Sequence, residues 1–451
     1  MSAGSPSATP PFVFSGERRL PVELDCDFEA PAPMPALTDV DAALDRALDA
    51  PVGAPPLREL ARGAGSVAIV VPDASRRCPV ARLLPPLIAE IERAGVADDR
   101  VRIVIGCGLH RATTPGEKAD LVGPALARRF AVLDAQGLAP DTTDLGDIEA
   151  LAGAATFDGD LSGGDLSGGG RRPVTLNTTV SAADLVVAVG IVEPHLYAGY
   201  SGGVKAVSIG CAGHETIAWT HSPLFLDQPA VRLCRLDGNP FQQALRAIAS
   251  ATRLRFALNV VLGDGGGVAG LAAGDPAAAQ RRLVETHAGA WLRRRPAPAD
   301  LVLAGVPAPK DQSLYQASRA ATYVGLAARP ALADGGLIVF CADAPLGAGD
   351  GPGEENFGRL LAGETAMDLV ERGCVEPLGP GGQRAYMMAK LMLRYRVGVL
   401  GGGDRGLIER MGLLAFGSVG QAVGEARRAR GPRARALVIA DGIDTVVELD
   451  G

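Results

Sequence analysis

Short runs of β-branched and other apolar residues recur along the chain, and helix-like spacing separates several of them. They lie at 67–71, 101–105, 185–189, 256–262, 301–304, 337–340, 397–400 and 436–439. Buried runs of this length between helical segments are typical of α/β units, because helices cover both faces of a parallel sheet and leave no polar face. The pattern therefore predicts an α/β fold with mainly parallel sheets and flanking helices.

The length of 451 residues exceeds what one ordinary core supports, so two domains are predicted. The Arg- and Pro-rich stretch 293–298 precedes a new strand, which places the boundary between an N-terminal cofactor-binding and catalytic domain, 1–285, and a C-terminal α/β domain, 286–451. The last strand-like run could pair with either domain. We expect the active site in the cleft between the domains.

The segment 158–173 carries a duplicated DLSGG and has almost nothing to bury, so it is predicted to be a mobile surface insertion. The net charge of −7 and the lack of a basic stripe argue against a nucleic-acid partner. No signal peptide and no apolar run of about 18 residues is present, which argues against a membrane protein. Seven scattered cysteines without a CxxC pair favour reduced thiols and a cytoplasmic location.

Histidine is the most informative residue type, because the chain has only five, at 110, 195, 214, 221 and 287. His110 follows the run 101–105 and a predicted Gly-rich turn at 106–108, and His195 follows the run 185–189. Ligands of open α/β sheets bind beyond the carboxyl ends of the strands, so both histidines lie where a site is expected.

The segment from His195 to Lys205 encloses AGYSGG. Such a loop brings backbone N–H groups close to an anion or to a flat ligand. It is neither a Walker loop nor a G-x-G-x-x-G motif, so ordinary ATP or NAD binding is not indicated. Lys205 could contact a phosphate or act as an amine nucleophile.

Two further segments follow predicted strands. Asp73-Ala74-Ser75-Arg76 offers a guanidinium and a hydroxyl to a phosphate or carboxylate, although capping of the next helix by Asp73 is an equally good explanation. Residues 311–316, DQSLYQ, supply amide, phenol and carboxylate groups, with Arg319 one helical turn beyond Gln316. They suit a polar anionic substrate, or simply a capped helix start.

Five segments together resemble the nickel-pincer-nucleotide-dependent lactate racemase family. They are DASR at 73–76, GLHRATT at 108–114, EPHLYAGYSGGVK at 193–205, AGHETI with the histidine at 221, and DQSLYQ at 311–316. The resemblance covers about 67–400. It implies an isomerase, a racemase or epimerase of a small 2-hydroxy acid.

The resemblance also implies the cofactor and the residues that hold it. The cofactor is a nickel-pincer nucleotide, a pyridinium-3,5-bisthiocarboxylic acid mononucleotide that grips nickel through carbon and two sulfurs, soft ligands that suit a thiophilic metal. Lys205 matches the lysine joined to one arm as a thioamide, and His221 matches the nickel ligand. The nucleotide contacts are Asp73, Ala74, Ser75 and Arg76.

By the same resemblance, His110 and His195 are the catalytic acid/base pair, and Tyr315, Gln316 and Arg319 bind the substrate. Loss of the hydroxyl proton makes the neighbouring C–H a hydride donor, and a planar 2-oxo acid can take hydride back on either face. One histidine is then needed for each enantiomer, and the imidazole pKa near neutrality suits that role.

Two departures bear on the substrate. Arg319 stands where lactate racemases have a lysine, and its planar fork imposes a different geometry on a carboxylate. Gln383 stands where lactate-specific members carry a tryptophan, and the only tryptophans are at 219 and 291. The sequence therefore favours a substrate larger or more polar than lactate.

Two other functions remain open from sequence. A zinc-dependent hydrolase would use His110, His195 and His221 as metal ligands, and a non-catalytic protein would bind a nucleotide or hydroxy acid in the same loops. The implied partners of the racemase are the 2-hydroxy acid and cofactor-maturation enzymes, and a homodimer is compatible with the sequence. His214 lies about two helical turns before His221 and could line the same face, although the family motif does not require a histidine there, and His287 is assigned no role.

Overall fold

The structure is a computed structural model that describes residues 10–139, 141–152 and 172–451. The predicted insertion at 158–173 lies outside the described residues except for its last two positions. The chain divides into two compact units, which we call the first unit, 33–288, and the second unit, 10–32 with 289–451.

Three short strands precede the first unit along the chain and belong to the second: β1 (Phe12–Gly16), β2 (Arg18–Pro21) and β3 (Asp27–Glu29). The strands of the first unit are β4 (Val67–Pro72), β5 (Val101–Gly108), β6 (Ala131–Gln136), β7 (Thr142–Asp147), β8 (Pro173–Asn177), β9 (Leu185–Ile191), β10 (Pro194–His195), β11 (Gly199–Tyr200), β12 (Leu254–Leu262) and β13 (Val268–Gly274).

The helices of the first unit are α1 (Val40–Asp49), α2 (Leu57–Leu60), α3 (Val80–Arg93), α4 (Pro115–Val122), α5 (Pro124–Arg129), α6 (Ile148–Ala152), α7 (Thr178–Ala182), α8 (Lys205–Ser208), α9 (His214–Thr220), α10 (Pro223–Leu226), α11 (Pro240–Ser250) and α12 (Pro276–Trp291). The division between the units falls within α12.

Six strands of the first unit form one sheet in the order β13-β12-β9-β4-β5-β6. All neighbours pair in parallel except β12 and β13. Apolar clusters pack on both faces of this sheet, so its central strands read as continuous apolar runs. Since β5 lies on one side of β4 and β9 on the other, the carboxyl end of β4 is a topological switch point, where ligands of such sheets bind.

The strands of the second unit continue with β14 (Leu292–Arg295), β15 (Ala299–Pro307), β16 (Leu332–Cys341), β17 (Arg396–Leu400), β18 (Leu414–Phe416), β19 (Ala436–Ile439) and β20 (Val446–Leu449). Its helices are α13 (Leu314–Gly325), α14 (Pro352–Gly363), α15 (Ala366–Val375), α16 (Gly382–Arg394), α17 (Arg405–Arg410) and α18 (Val419–Arg430). Strands β15 to β18 pair in parallel, and β19 pairs with the other edge of β15.

The mainly parallel α/β fold predicted from the sequence is confirmed, but residues 10–32 do not lie with the residues that follow them. Ser15 of β1 pairs with Val306 of β15, and β3 pairs with β19. These strands cover an edge that β15 and β19 would otherwise expose, which is the physical reason for the arrangement. The last strand-like runs pair within the second unit, since β19 pairs with β15 and β20 pairs with β14.

One local prediction is wrong. Gly106–Gly108, expected to be a turn, is the end of β5, because these residues continue to pair with β6 through an irregular register. All seven cysteines are free thiols. None of the helices in the described ranges combines the length and apolar character that a membrane span requires.

The pairing of β1 and β3 predicts how fragments of the chain behave. A fragment of residues 33–291 should fold alone, because it holds a complete sheet and its own core. A fragment of residues 289–451 should be less stable than the same fragment with residues 10–32 joined to it, because β15 and β19 lose an edge strand. Urea unfolding followed by circular dichroism measures this, and equal midpoints for the two C-terminal fragments would contradict the assignment.

Candidate active site

The candidate site of the first unit lies where the strands β4, β5 and β9 end. Asp73 follows β4 directly, His110 lies two residues after β5, and Glu193 lies two residues after β9. The carboxyl ends of these neighbouring parallel strands meet at one edge of the sheet. The sheet therefore brings together three segments that are far apart in sequence.

Asp73 and His110 form the central pair of this edge. Asp73 Oδ2 lies 2.6 Å from His110 Nδ1, and the other carboxylate oxygen accepts hydrogen bonds from the backbone N–H and the hydroxyl of Ser75. Asp73 is buried, whereas 43% of the His110 side chain is exposed. The carboxylate therefore holds the inner edge of the imidazole and leaves its outer edge accessible.

The surroundings of Asp73 keep it ionised. Burial by itself raises its pKa, but the hydrogen bond and the charge of His110 lower it. With the further contributions of Arg76 and Ser75, the pKa of Asp73 is about 2. An ionised carboxylate only accepts hydrogen bonds, so His110 Nδ1 carries the proton, and the neutral ring has its lone pair at Nε2.

The loop that carries His110 is anchored to the sheet by Asp134 of β6. Asp134 forms an ion pair with Lys118 (2.8 Å) and accepts a hydrogen bond from the hydroxyl of Thr113 (2.5 Å). Thr114 then begins α4 with a capping box that it shares with Glu117. These contacts fix the chain on the C-terminal side of His110.

Arg76 contacts the segment that contains His195. Its Nη1 lies 3.4 Å from Glu193 Oε1, and both side chains are partly exposed. The sequence analysis did not single out Glu193, although it is the first residue of the segment 193–205. Ala74 and Ser75 are exposed beside Arg76, so this turn presents a hydroxyl and a guanidinium at the sheet edge.

His195 is held differently from His110. Its Nδ1 accepts hydrogen bonds from the backbone N–H groups of Tyr197 (3.3 Å) and Ala198 (3.2 Å). Because Nδ1 is the acceptor, the neutral ring carries its proton on Nε2. The two histidines predicted as an acid/base pair therefore rest in opposite tautomers.

The loop after His195 requires glycine. Gly199 has φ +72°, and a Cβ there would lie 1.9 Å from the carbonyl oxygen of Arg235. Gly202 has φ +80°, and a Cβ there would lie 2.8 Å from Asn259 Oδ1. Only glycine allows both the left-handed backbone and these close approaches.

Buried amide side chains bind the backbone of this loop. Asn239, Gln242 and Gln280 are at most 2% exposed. Each donates a 2.8 Å hydrogen bond to a loop carbonyl, and the acceptors are, in the same order, Tyr197, Ala198 and Ser201. The spacing of apolar residues does not reveal buried polar side chains, so the sequence analysis did not predict these three residues.

Asn259 of β12 completes this set, and we call the four residues the amide cage. Its Oδ1 accepts a 3.0 Å hydrogen bond from the backbone N–H of Gly203. Its Nδ2 is buried and has no hydrogen-bond partner among the described residues. A buried donor without an acceptor is costly, so this nitrogen suits an acceptor atom supplied by a ligand.

Lys205 and His221 follow the loop. Lys205 is half-buried and begins α8. His221 caps the end of α9, and its ring meets Tyr197 and Phe241 edge to face, at 5.6 and 5.2 Å between centroids. The Tyr197 ring also contacts His195, at 5.6 Å, so one tyrosine lies against both histidines.

The hydrogen bonds of His221 fix its tautomer. Nδ1 lies 3.0 Å from the carbonyl oxygen of Ile217, which can only accept, so Nδ1 carries the proton. The lone pair of the neutral ring is then at Nε2. A backbone carbonyl bound to the inner nitrogen is the usual way in which proteins orient a metal-binding histidine.

The other histidines do not join this cluster. His214 is exposed at the start of α9, and His287 Nδ1 donates a 3.0 Å hydrogen bond to the carbonyl oxygen of Leu283 within α12. Among the residues that the structure describes, no three His, Cys, Asp or Glu side chains converge as a metal-ion site. That includes the histidine triad on which the zinc-hydrolase alternative depends.

The predicted substrate residues lie at the start of α13 in the second unit. Tyr315 and Gln316 are half-buried, and Gln316 Nε2 donates a 3.4 Å hydrogen bond to Glu354 Oε1. Arg319 is only 5% exposed, and its Nη2 donates a 2.8 Å hydrogen bond to the hydroxyl of Tyr323. Tyr315 and Gln316 thus lie in the first turn of a helix that follows β15, whereas the guanidinium of Arg319 packs over the ring of Tyr323, farther along the same helix.

Comparison with family models gives two matches. Residues 17–152 and 164–233 match the lactate racemase N-terminal domain, and residues 295–447 match the lactate racemase C-terminal domain. A lactate racemase of Lactiplantibacillus plantarum is 28% identical over 412 residues, which cover 90% of each chain. A lactate racemase of Thermoanaerobacterium thermosaccharolyticum is 28% identical over 409 residues, which cover 89% of each chain.

Two solved structures share the fold. The lactate racemase apoprotein of T. thermosaccharolyticum gives a TM-score of 0.85 at 24% identity, covering 97% of this chain and all of that chain. A Thermotoga maritima protein gives a TM-score of 0.65 at 15% identity, covering 88% of this chain and 98% of that chain. At these identities the likeness establishes the fold.

The low pKa of Asp73 predicts a pH-dependent contribution to stability. The folded value of about 2 lies below the value of about 3.9 in an unfolded chain, so the contribution is complete above about pH 4 and is lost as the pH falls through 2. Asp73→Asn should lower the free energy of unfolding by about 2 kcal/mol at pH 7 and by much less near pH 2.

Urea unfolding of the 33–291 fragment at several pH values measures this difference. Asp120→Asn, at an exposed position of α4, is the control that should change little. A difference between wild type and Asp73→Asn that does not shrink with falling pH would contradict the pairing of Asp73 with His110.

Proposed function

The chain belongs to the lactate racemase family and is a racemase-type isomerase, and from that premise we propose that it racemises or epimerises a 2-hydroxy acid with a nickel-pincer nucleotide. The observation that supports this most is that His110 and His195 follow strands that end at one sheet edge, that His221 shares the Tyr197 ring with His195, and that a neighbour fixes the tautomer of each imidazole. The neutral rings of His110 and His221 each present a lone pair at Nε2, whereas the ring of His195 presents an Nε2–H.

The residues of the first unit fit this cofactor. Lys205 supplies the amine for the thioamide, and the Nε2 of His221 supplies a neutral nitrogen ligand. The glycine loop admits a flat ring close to the backbone, and Asn259 Nδ2 is a buried donor suited to an acceptor on the ligand. Ser75 and Arg76 suit the nucleotide phosphate.

When bound, the cofactor supplies an acceptor and donor of hydride, and the protein supplies the proton transfers. His110 Nε2 takes the hydroxyl proton of the substrate, and the imidazolium that forms is stabilised by the ionised Asp73 on its other side. The same ring returns the proton in the reverse direction. Asp73, assigned above to the nucleotide, therefore acts in this proposal by orienting His110.

His195 starts from the opposite tautomer, with its proton on Nε2. Its Nε2–H donates a hydrogen bond to a substrate oxygen in the resting enzyme. To serve as a base, Nε2 must lose this proton and Nδ1 must gain one, which breaks both hydrogen bonds from the backbone N–H groups. We propose that the resting enzyme is therefore prepared for the enantiomer whose hydroxyl faces His110.

The second unit binds the substrate in this proposal. Arg319 binds the carboxylate beside the hydroxyl-bearing carbon, with Tyr315 and Gln316 in the first turn of the same helix. The polar character of this helix end supports a substrate larger or more polar than lactate. That the reaction takes place in a cleft between the domains stays a prediction.

The experiment is a panel of enantiopure 2-hydroxy acids, incubated in heavy water with protein matured together with the cofactor-synthesis enzymes and followed by chiral chromatography. We expect interconversion of at least one pair without deuterium at the hydroxyl-bearing carbon. His110→Gln should lower kcat by about 100-fold or more, since a general base is lost. Deuterium at that carbon would contradict direct return of hydride.

Metal content tests the nickel ligand separately. His221→Ala should lose most of the nickel from matured protein, because the only protein nitrogen proposed to bind the metal is removed. His214→Ala, seven residues earlier and exposed, should retain nickel and is the matched control. Equal nickel-to-protein ratios in the two variants, measured by mass spectrometry of the metal, would exclude His221 as the ligand.

A further inference from the structure

Two aromatic rings of the first unit pack against His221, and one of them also contacts His195. The rings of Tyr197 and Phe241 meet His221 edge to face, at 5.6 and 5.2 Å between centroids. Tyr197 meets His195 in the same way, at 5.6 Å. Aromatic residues make up only 4% of the chain, so composition alone does not account for rings at both histidines. Tyr197 therefore joins the proposed base to the proposed nickel ligand.

The contacts of Tyr197 limit the separation of the two histidines. Each imidazole centroid lies 5.6 Å from the centroid of the tyrosine ring, so the imidazoles are at most twice that distance apart. The ring planes of His195 and His221 make angles of 75° and 86° with the plane of Tyr197. One side chain therefore bears on both the spacing and the orientation of the two imidazoles.

Hydrogen bonds alone do not fix these imidazoles. His195 accepts at Nδ1 from backbone N–H groups, and His221 donates from Nδ1 to the carbonyl oxygen of Ile217. Bonds at a single nitrogen leave a ring free to pivot about that nitrogen, so they do not determine the direction of Nε2. Edge-to-face contacts have a preferred geometry. The Tyr197 ring therefore gives each imidazole a second point of support.

A buried amide, that of Asn239, holds both aromatic residues in place. Its Nδ2 donates a 2.8 Å hydrogen bond to the carbonyl oxygen of Tyr197, and its Oδ1 accepts a 3.0 Å hydrogen bond from the backbone N–H of Phe241. Asn239 caps the start of α11 through the second of these bonds. Tyr197 is 5% exposed, and Phe241 and Asn239 are fully buried. The two rings are thus a fixed pair against which His221 packs.

Phe225 shows what a ring of this region does when it serves packing alone. It is fully buried, and among the described residues its ring contacts Phe241, at 6.3 Å, and Trp219, at 5.8 Å, but neither His195 nor His221. Truncation of either Phe225 or Tyr197 leaves a cavity in the same region. Only truncation of Tyr197 also removes ring contacts from the two histidines.

We propose that Tyr197 is a positioning residue that fixes the Nε2 atoms of His195 and His221 relative to each other. This rests on the proposed function, in which His195 transfers a proton and His221 binds nickel. The ring carries the role, since both histidines contact the ring. Loss of the ring therefore disturbs the proton-transfer site and the metal site together, whereas His110, which is held by Asp73, stays in place.

The first test measures the two imidazoles directly. The full chain without cofactor is prepared with isotope-labelled histidine, and the ring-nitrogen chemical shifts are measured at about pH 8, where an ordinary imidazole is neutral. In Tyr197→Leu we expect the shifts of His195 and His221 to move toward the average of the two tautomers, and those of His110 to stay. Tyr197→Phe and Phe225→Leu should keep the wild-type shifts.

The second test uses protein matured with the cofactor-synthesis enzymes. Tyr197→Leu should lower kcat by about 10- to 100-fold with little change in KM, and it should lose nickel on dialysis, because both Nε2 atoms are displaced. Tyr197→Phe should retain most of the activity and the nickel. Phe225→Leu should retain both, although its thermal unfolding temperature falls as that of Tyr197→Leu does.

The outcomes separate this inference from the proposed function. Unchanged shifts in Tyr197→Leu, a change at only one of the two histidines, or equal changes in Phe225→Leu would overturn the role of Tyr197. Absence of racemisation by nickel-containing wild type would overturn the proposed function, while the shifts still decide whether Tyr197 couples the two rings. Tyr197→Met, which removes the ring with a smaller loss of volume, takes the place of Tyr197→Leu if the leucine variant does not fold.

Discussion

The amide cage around residues 197–203 is the constraint on which the candidate site depends. The backbone of Tyr197 and Ala198 is bound on both sides, because its carbonyls accept from Asn239 and Gln242 while its N–H groups donate to His195. Tyr197 and Ala198 lie between β10 and β11 and outside their pairing, so buried side chains must satisfy these backbone groups. The orientation of the His195 imidazole thus follows from buried amide side chains.

This arrangement makes His110 and His195, the two histidines proposed as the acid/base pair, physically different. His110 is hydrogen-bonded to an ionised carboxylate, which stabilises a positively charged ring. His195 instead accepts hydrogen bonds from two backbone N–H groups at Nδ1, and these leave no room for a proton on that nitrogen. A racemase has an equilibrium constant of one, so kcat/KM must be equal for the two enantiomers. Any difference between the two histidines as bases therefore changes kcat and KM by the same factor from one enantiomer to the other, or it appears in the rate of the first turnover.

The sequence predicted the parallel sheets and the strand ends that carry His110 and His195, because buried strands appear in a sequence as short apolar runs and the polar residues that follow them mark the strand ends. It could not predict that β1 pairs with β15, since a short edge strand is distinguished only by its distant partner. It also missed Glu193 and the amide cage. Their importance comes from which neighbour they touch, and single-residue patterns do not encode that.

The proposed covalent bond between Lys205 and the cofactor gives the most direct test. Protein matured together with the cofactor-synthesis enzymes is digested, and the peptide containing residues 193–205 is sequenced by mass spectrometry. The account predicts that Lys205 carries the mass of a pyridinium mononucleotide through a thioamide or its hydrolysed amide. An unmodified Lys205 in protein that holds nickel and racemises its substrate would contradict it.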